Sequence, residues 1–165
     1  MAGSGNQKKK TESTGEKVVS RNKRATHDYL ILDKLECGIV LQGTEVKSLR
    51  EGHASLEDAY AKLVDGEVWL HGCDIPEYSM GTHFNHKPKR ARKLLLKRSE
   101  IDKFAGKASQ QGFTLVPLKL YFSHGLAKVE LAVAKGKQTH DKREALKSAE
   151  AKREISRAMG RKQNR

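Results

Sequence analysis

"FTLVPLKLYFSHGLAKVELAVAKG", residues 113–136, decides the fold class of this chain. Val129, Leu131 and Val133 alternate with Lys128 and Glu130, the period-two pattern of a strand with one buried face. A second apolar run, 113–122, precedes it, and His124-Gly125 marks the connection, so the stretch reads as two strands. Upstream, "AYAKLVDGEVWLHGCDI" (59–75) reads as another hairpin, because Asp65-Gly66 suits a type I′ turn with positive φ at both central residues. "YLILDKLECGIVLQG" (29–43) is strand material with an expected irregularity at Gly38. Two short helices are expected. One lies within 43–52, with Thr44 as N-cap, Glu45 in the first turn and Gly52 at the end; the other follows Ser99 and Asp102 and ends at Gly112. "KLLLK" (93–97) suits either a buried strand or the lead into that helix, and 79–92 shows no periodicity, as expected of a functional or mobile loop. Several antiparallel strands with two short helices imply a mainly β chain that closes partly into a small barrel. Order is expected from Thr26, after a Gly-, Ser-, Thr- and Lys-rich arm over 1–20.

Charge is distributed unevenly along the 165 residues, whose net charge is +13. Residues 1–24 hold seven Lys/Arg against two Glu, and 135–165 hold eleven against four acids. The body between them, 25–134, holds fifteen against fourteen and is close to neutral. Within that body, seven cations and no acid lie in 87–98: Lys87, Lys89, Arg90, Arg92, Lys93, Lys97 and Arg98. A neutral body with one basic strip and two basic arms fits a polyanionic partner, and nucleic acid above all. Aromatics are only 5% of the chain, which favours recognition of a folded RNA by shape and backbone over stacking along a long single strand. Arg24, His27 and Tyr29 add a cation and two rings at the start of the body.

Catalytic chemistry is poorly represented. GxSxG, GxxxxGK[ST], HExxH and clustered Cys are absent. His83 and His86 have HxxH spacing, but no neighbouring Cys or carboxylate completes a metal set, so neither metal nor cofactor is expected. His27-Asp28 and His140-Asp141 suit the acid–base pairs of a nuclease, but the clustered carboxylates such chemistry usually needs are not visible. Cys37 and Cys73 do not form a CxxC pair, the N-terminal segment has no apolar signal region, and no run approaches the roughly 20 residues of a membrane helix. The expectation is a cytoplasmic protein with reduced thiols and no membrane partner.

A family resemblance adds to this reading. "NKRATHDYLILDKLECGIVLQGTEVKSLREG" (22–52), "DGEVWLHGCDIPEY" (65–78), "RARKLLLKRSEI" (90–101), "TLVPLKLYF" (114–122), "KVELAVAKGK" (128–137) and "DKRE" (141–144) together resemble the SmpB family in order and spacing, over roughly 20–160. Lys87 departs from a family position often held by an acid, and Gln138 from one often held by Lys. The resemblance implies an OB-like antiparallel β-barrel with flanking helices. It also implies an RNA-binding adaptor that holds the tRNA-like domain of tmRNA, is delivered with the translational GTPase EF-Tu, and acts as a monomer on stalled ribosomes in trans-translation. Rival expectations are a generic ribosome-associated RNA-binding protein and an RNA-processing enzyme.

Carried over by position, Glu36, Leu95 and Lys128 contact tmRNA or shape that contact, joined by Arg24, His27, Tyr29 and the strip residues Arg90, Arg92 and Lys93. Leu95 also suits a core position. A tail, 135–165, is expected to follow the body, 21–134. By the same resemblance the tail enters the mRNA channel of the small ribosomal subunit near the decoding centre, disordered when free and helical when bound. Gly136, Lys137, His140, Asp141, Lys142, Arg143, Ile155 and Met159 are its family positions. Ala151, Ile155, Ala158 and Met159 are spaced as one narrow helical stripe, with basic residues around it.

Overall fold

The structure, a computed structural model, describes residues 15–81, 83–108 and 112–137, with Lys147, Ser148, Glu150, Ala151 and Arg153 described singly in the tail. In chain order the elements are β1 (Glu16–Arg21), α1 (Lys23–Asp28), β2 (Tyr29–Ile39), α2 (Gly43–Arg50), β3 (Tyr60–Val64), β4 (Glu67–His71), β5 (Arg92–Leu95), α3 (Arg98–Ala108), β6 (Phe113–Ser123) and β7 (Leu126–Gly136). The strands form one antiparallel sheet in the order β1-β6-β3-β4-β5-β2-β7, and β6 pairs with β7 to turn the sheet into a ring. This is the mainly β, OB-like architecture expected from the pattern of short strands.

Turn chemistry sets the two hairpins. His124 and Gly125 have φ of 49° and 78°, and Asp65 and Gly66 have φ of 51° and 75°, so both connections take the I′ geometry that matches strand twist. Register in β6–β7 runs from Phe113↔Lys135 to Ser123↔Leu126 and shifts between Pro117 and Lys119. A proline cannot donate to the ladder, so a bulge is where β6 tolerates one. The irregularity in β2 falls between Ile31 and Asp33 rather than at Gly38. Gly38 instead marks the point where β2 pairs with β7 on one side and β5 on the other, opposite Lys128 and Leu95.

Inside the ring the core is built from Leu49 of α2, Val68 and Leu70 of β4, Leu94 of β5, Phe104 of α3, Leu115 and Leu120 of β6, and Val129, Leu131 and Val133 of β7. A smaller cluster of Ala25, Val116 and Ala134 seats α1 on the outside of β6 and β7. Cys37 and Cys73 are free and buried, as expected of reduced thiols, and burial pushes their pKa values up to about 12 and about 11.

Four local expectations are corrected. Regular structure is already present before Thr26: β1 pairs with β6 over Glu16–Arg21, and Asn22 then caps α1 by accepting from the Ala25 N–H at 3.0 Å. The N-terminus of α2 is capped at Gln42, whose N–H donates to Glu45 at 2.7 Å; Thr44 turns away to His86. The carboxylate that serves the start of α3 is Glu100, which accepts from the Lys97 N–H at 2.8 Å, while Asp102 faces Arg98 at 3.7 Å. Lastly, β7 continues to Gly136, past the expected body–tail boundary at 134/135.

Candidate nucleic-acid interface

The alternation that buries Leu131 and Val133 places Lys128 and Glu130 on the outer face of β7, beside the outward residues of β2 and β6. A polar network covers that face. Glu36 accepts from Lys128 Nζ and from the Tyr121 hydroxyl. Lys119 sits 3.0 Å from Glu16 and 3.7 Å from Glu130, with its Nζ 4.0 Å from the Tyr121 ring centroid. Lys34 reaches Glu130 at 3.2 Å. The hydrogen bonds from Lys128 and Tyr121 hold the Glu36 carboxyl below its usual value, and burial together with Glu36 raises the Tyr121 phenol. Glu36 is therefore an anion at neutral pH that fixes a lysine and a tyrosine in place. Where Gly38 lies opposite both Lys128 and Leu95, an apolar groove of about 300 Å³ opens between Leu95, Val46, Phe122 and Leu126. Leu95 is 52% exposed, which decides for a surface role over a core one. The fold thus brings Glu36, Leu95 and Lys128 together.

The basic strip is not one surface. Arg92 is completely buried. Its Nε donates to Glu45 at 2.9 Å, Nη1 to the Cys73 carbonyl at 2.6 Å and the Arg90 carbonyl at 3.1 Å, and Nη2 to the Pro88 carbonyl at 2.8 Å. Arg90 also grips Glu45, with Nε at 2.7 Å, and Lys93 is paired with Glu67. Arg92 is therefore withdrawn as an RNA contact: a guanidinium with these partners holds the loop before β5 against α2. Burial opposes ionisation of Glu45, but the hydrogen bonds from Arg90 and the Gln42 N–H and the charge of Arg92 outweigh it and lower its pKa. Among the described residues the strip cations Lys87, Lys89 and Lys97 are exposed and have no ion pair.

At the other end of β2 a second group assembles. Arg24 and His27 are exposed on α1, and His27 Nδ1 lies 2.9 Å from Asp28. Tyr29 lies opposite Gly136; the Lys137 N–H donates to the Asp28 carbonyl and Lys137 Nζ to the Thr26 carbonyl, both at 2.9 Å. The root of the tail is thus tied to α1. The nine-residue rise from Tyr29 to Gly38 separates the two groups by roughly 30 Å along the strand. His140, Asp141, Lys142, Arg143, Ile155 and Met159 lie outside the described residues. Those described in the tail, Lys147, Ser148, Glu150, Ala151 and Arg153, have helical backbone and exposed side chains.

Comparison with known proteins agrees with the sequence and the fold. The family model "SmpB protein" matches residues 19–161. The chain belongs to the SmpB family. An SsrA-binding protein of Parafrankia sp. is 57% identical over 150 residues, covering 91% of this chain and 95% of its own. An SsrA-binding protein of Corynebacterium jeikeium is 61% identical over 144 residues, covering 87% and 78%. A solved chain described as "tmRNA-SmpB: a journey to the center of the bacterial ribosome" is similar with a TM-score of 0.63 and 47% identity, covering 77% of this chain and 93% of that one.

Sequence reading missed Lys119 and Tyr121, which complete the outer network. Their spacing in "PLKLYF", two apart and in phase with the outer face of β6, was the available signal. In the sequence Glu45 reads as a charge in the first turn of a helix; nothing local indicates that it is buried and paired with two arginines. The HxxH pair dissolves in the structure. His86 is buried, and its Nε2–H donates to the Ile75 carbonyl at 2.8 Å while Nδ1 accepts from Thr44 at 2.9 Å, so both ring nitrogens are occupied.

Proposed function

We propose that this SmpB-family chain is a non-enzymatic adaptor that binds the tRNA-like domain of tmRNA and acts with it on stalled ribosomes in trans-translation. The observation that carries the reading is the likeness, across most of both chains, to the chain described as tmRNA-SmpB in the bacterial ribosome. The geometry supports the same division of work. The body offers the Glu36–Lys128–Tyr121 face, the groove beside Leu95 and the exposed lysines of the strip to RNA. The tail follows Lys137 at the far end of β2, beside Arg24, His27 and Tyr29 and away from that face, which suits a separate partner, the decoding centre and mRNA channel of the small subunit. Delivery with EF-Tu, a monomeric state and a cytoplasmic setting belong to this proposal.

Binding to the isolated tRNA-like domain, against a structured RNA of equal length at moderate salt, tests it. Clear preference for the tRNA-like domain is expected, and equal affinity would instead indicate a generic RNA-binding protein. Incubating the same RNA with protein and divalent metal separates the adaptor from an RNA-processing enzyme, with intact RNA the expected result.

A further inference from the structure

The loop between β4 and β5 is built to hold two apolar side chains out of the protein. Asn85 ties both arms of its tip: Nδ2 donates to the Tyr78 carbonyl at 2.9 Å, and Oδ1 accepts from the Tyr78 and His86 N–H groups at 3.2 Å. The Gly81 N–H closes the turn on the Tyr78 carbonyl at 2.8 Å, and a Cβ at Gly81 would meet Asn85 Nδ2 at 2.5 Å. His86 anchors the base of the tip to Thr44 and Ile75, and Arg92 fixes the strand that follows. On this frame Phe84 is 90% exposed and Met80 82%. Exposure of that degree contributes nothing to the core, whereas the frame beneath it is closely hydrogen-bonded.

The surroundings indicate what Phe84 meets. Residues 78–93 contain no acid, and Lys87 and Lys89, three and five residues after Phe84 in the chain, are exposed. An exposed apolar ring followed in the chain by exposed cations matches an unpaired nucleobase, which offers a π-face and its own flanking phosphates. A protein partner would need an apolar hollow with an acidic rim to satisfy the same groups.

We infer that Phe84 is a stacking contact for one unpaired base of the bound RNA, with Lys87 and Lys89 on the neighbouring phosphates. The inference rests on the proposed tmRNA binding. The test measures affinity for the tRNA-like domain with wild-type protein and with Phe84→Ala, Phe84→Leu, Phe84→Tyr and Lys89→Ala. Stacking predicts that Phe84→Ala weakens binding about tenfold or more, that Tyr restores it to within about twofold and that Leu does not. Phe84→Ala should leave the salt dependence unchanged, and Lys89→Ala should lower its slope by about 1. Thermal melting of each variant should match wild type, since Phe84, Lys87 and Lys89 are exposed. Unchanged affinity of Phe84→Ala beside a tightly binding wild type overturns the stack and leaves the adaptor reading standing. Full rescue by Leu also overturns it, as does normal RNA affinity with lost activity on ribosomes, which would place a protein against Phe84. Failure of wild type itself to prefer the tRNA-like domain overturns both.

Discussion

Glu45 binds two arginines in a place that water does not reach, and the order of the loop before β5 depends on it. Removing one member of a buried charge cluster leaves the others uncompensated, at a cost of about 3–5 kcal/mol. Glu45→Ala should lose that much in urea unfolding. The same carboxylate makes stability pH-dependent. Its folded pKa lies below the ordinary 4.5, so its contribution is complete above 4.5 and is lost as pH falls from there through the lowered folded value. Glu45→Gln should flatten the urea midpoint against pH in that acid range, relative to wild type. Arg92 and Lys128 divide on the same grounds. Arg92→Ala should unfold readily, whereas Lys128→Ala, at an outer-face pair, should change stability by less than about 0.5 kcal/mol and weaken RNA binding. In the sequence these cations look equivalent, because charge counting is local. The groups that separate them stand 47 residues away for Arg92 and 92 for Lys128, and pairing at that range exists only in the fold.

Between elements, a tight backbone constraint lies just after β4. Gly72 has φ of 70°, and a Cβ there would lie 2.5 Å from the Asp58 carbonyl oxygen. Gly72→Ala combines that clash with left-handed strain and should cost about 1–3 kcal/mol in chemical denaturation, without touching the outer face of β2 and β7. The loop before β5 yields a complementary prediction. Of its cations, Lys87 and Lys89 are the ones turned to solvent without an ion pair among the described residues, so Lys87→Ala with Lys89→Ala should lower the slope of log affinity against log salt by about 2. Lys93→Ala should lower it far less, since Lys93 already has Glu67. Elements with strong local signals were legible in advance: the I′ hairpin at Asp65-Gly66, the strand connection at His124-Gly125, the helix α3 and the alternating β7. β1 and α1 were not. "EKVVSR" and "KRATHD" are six residues each and too polar to show a period, and they exist because β6 supplies a ladder and Asn22 a cap.

For the whole molecule, closure of the ring sets two working ends apart on β2. One carries Glu36, Leu95 and Lys128; the other carries α1 and the root of the tail. The resemblance supplied both residue sets, but their separation required the sheet topology, because Gly136 and Lys128 reach opposite ends of β2 only through its pairing with β7. A change confined to the tail should therefore spare the body. Met159→Glu should leave thermal melting and tmRNA binding as in wild type and reduce tagging on stalled ribosomes, where a new carboxylate would meet rRNA phosphate. The most direct measurement uses chain truncated after Lys137, which keeps all of β7 and the contacts of Lys137 with Thr26 and Asp28. Its affinity for tmRNA and its tagging activity on purified stalled ribosomes are measured side by side with full-length protein. Binding within about tenfold of full length, a loss of at most about 1.4 kcal/mol, together with abolished tagging, is the predicted result. Binding lost in step with tagging, or tagging that survives truncation, would contradict a body that binds tmRNA and a tail that serves the ribosome.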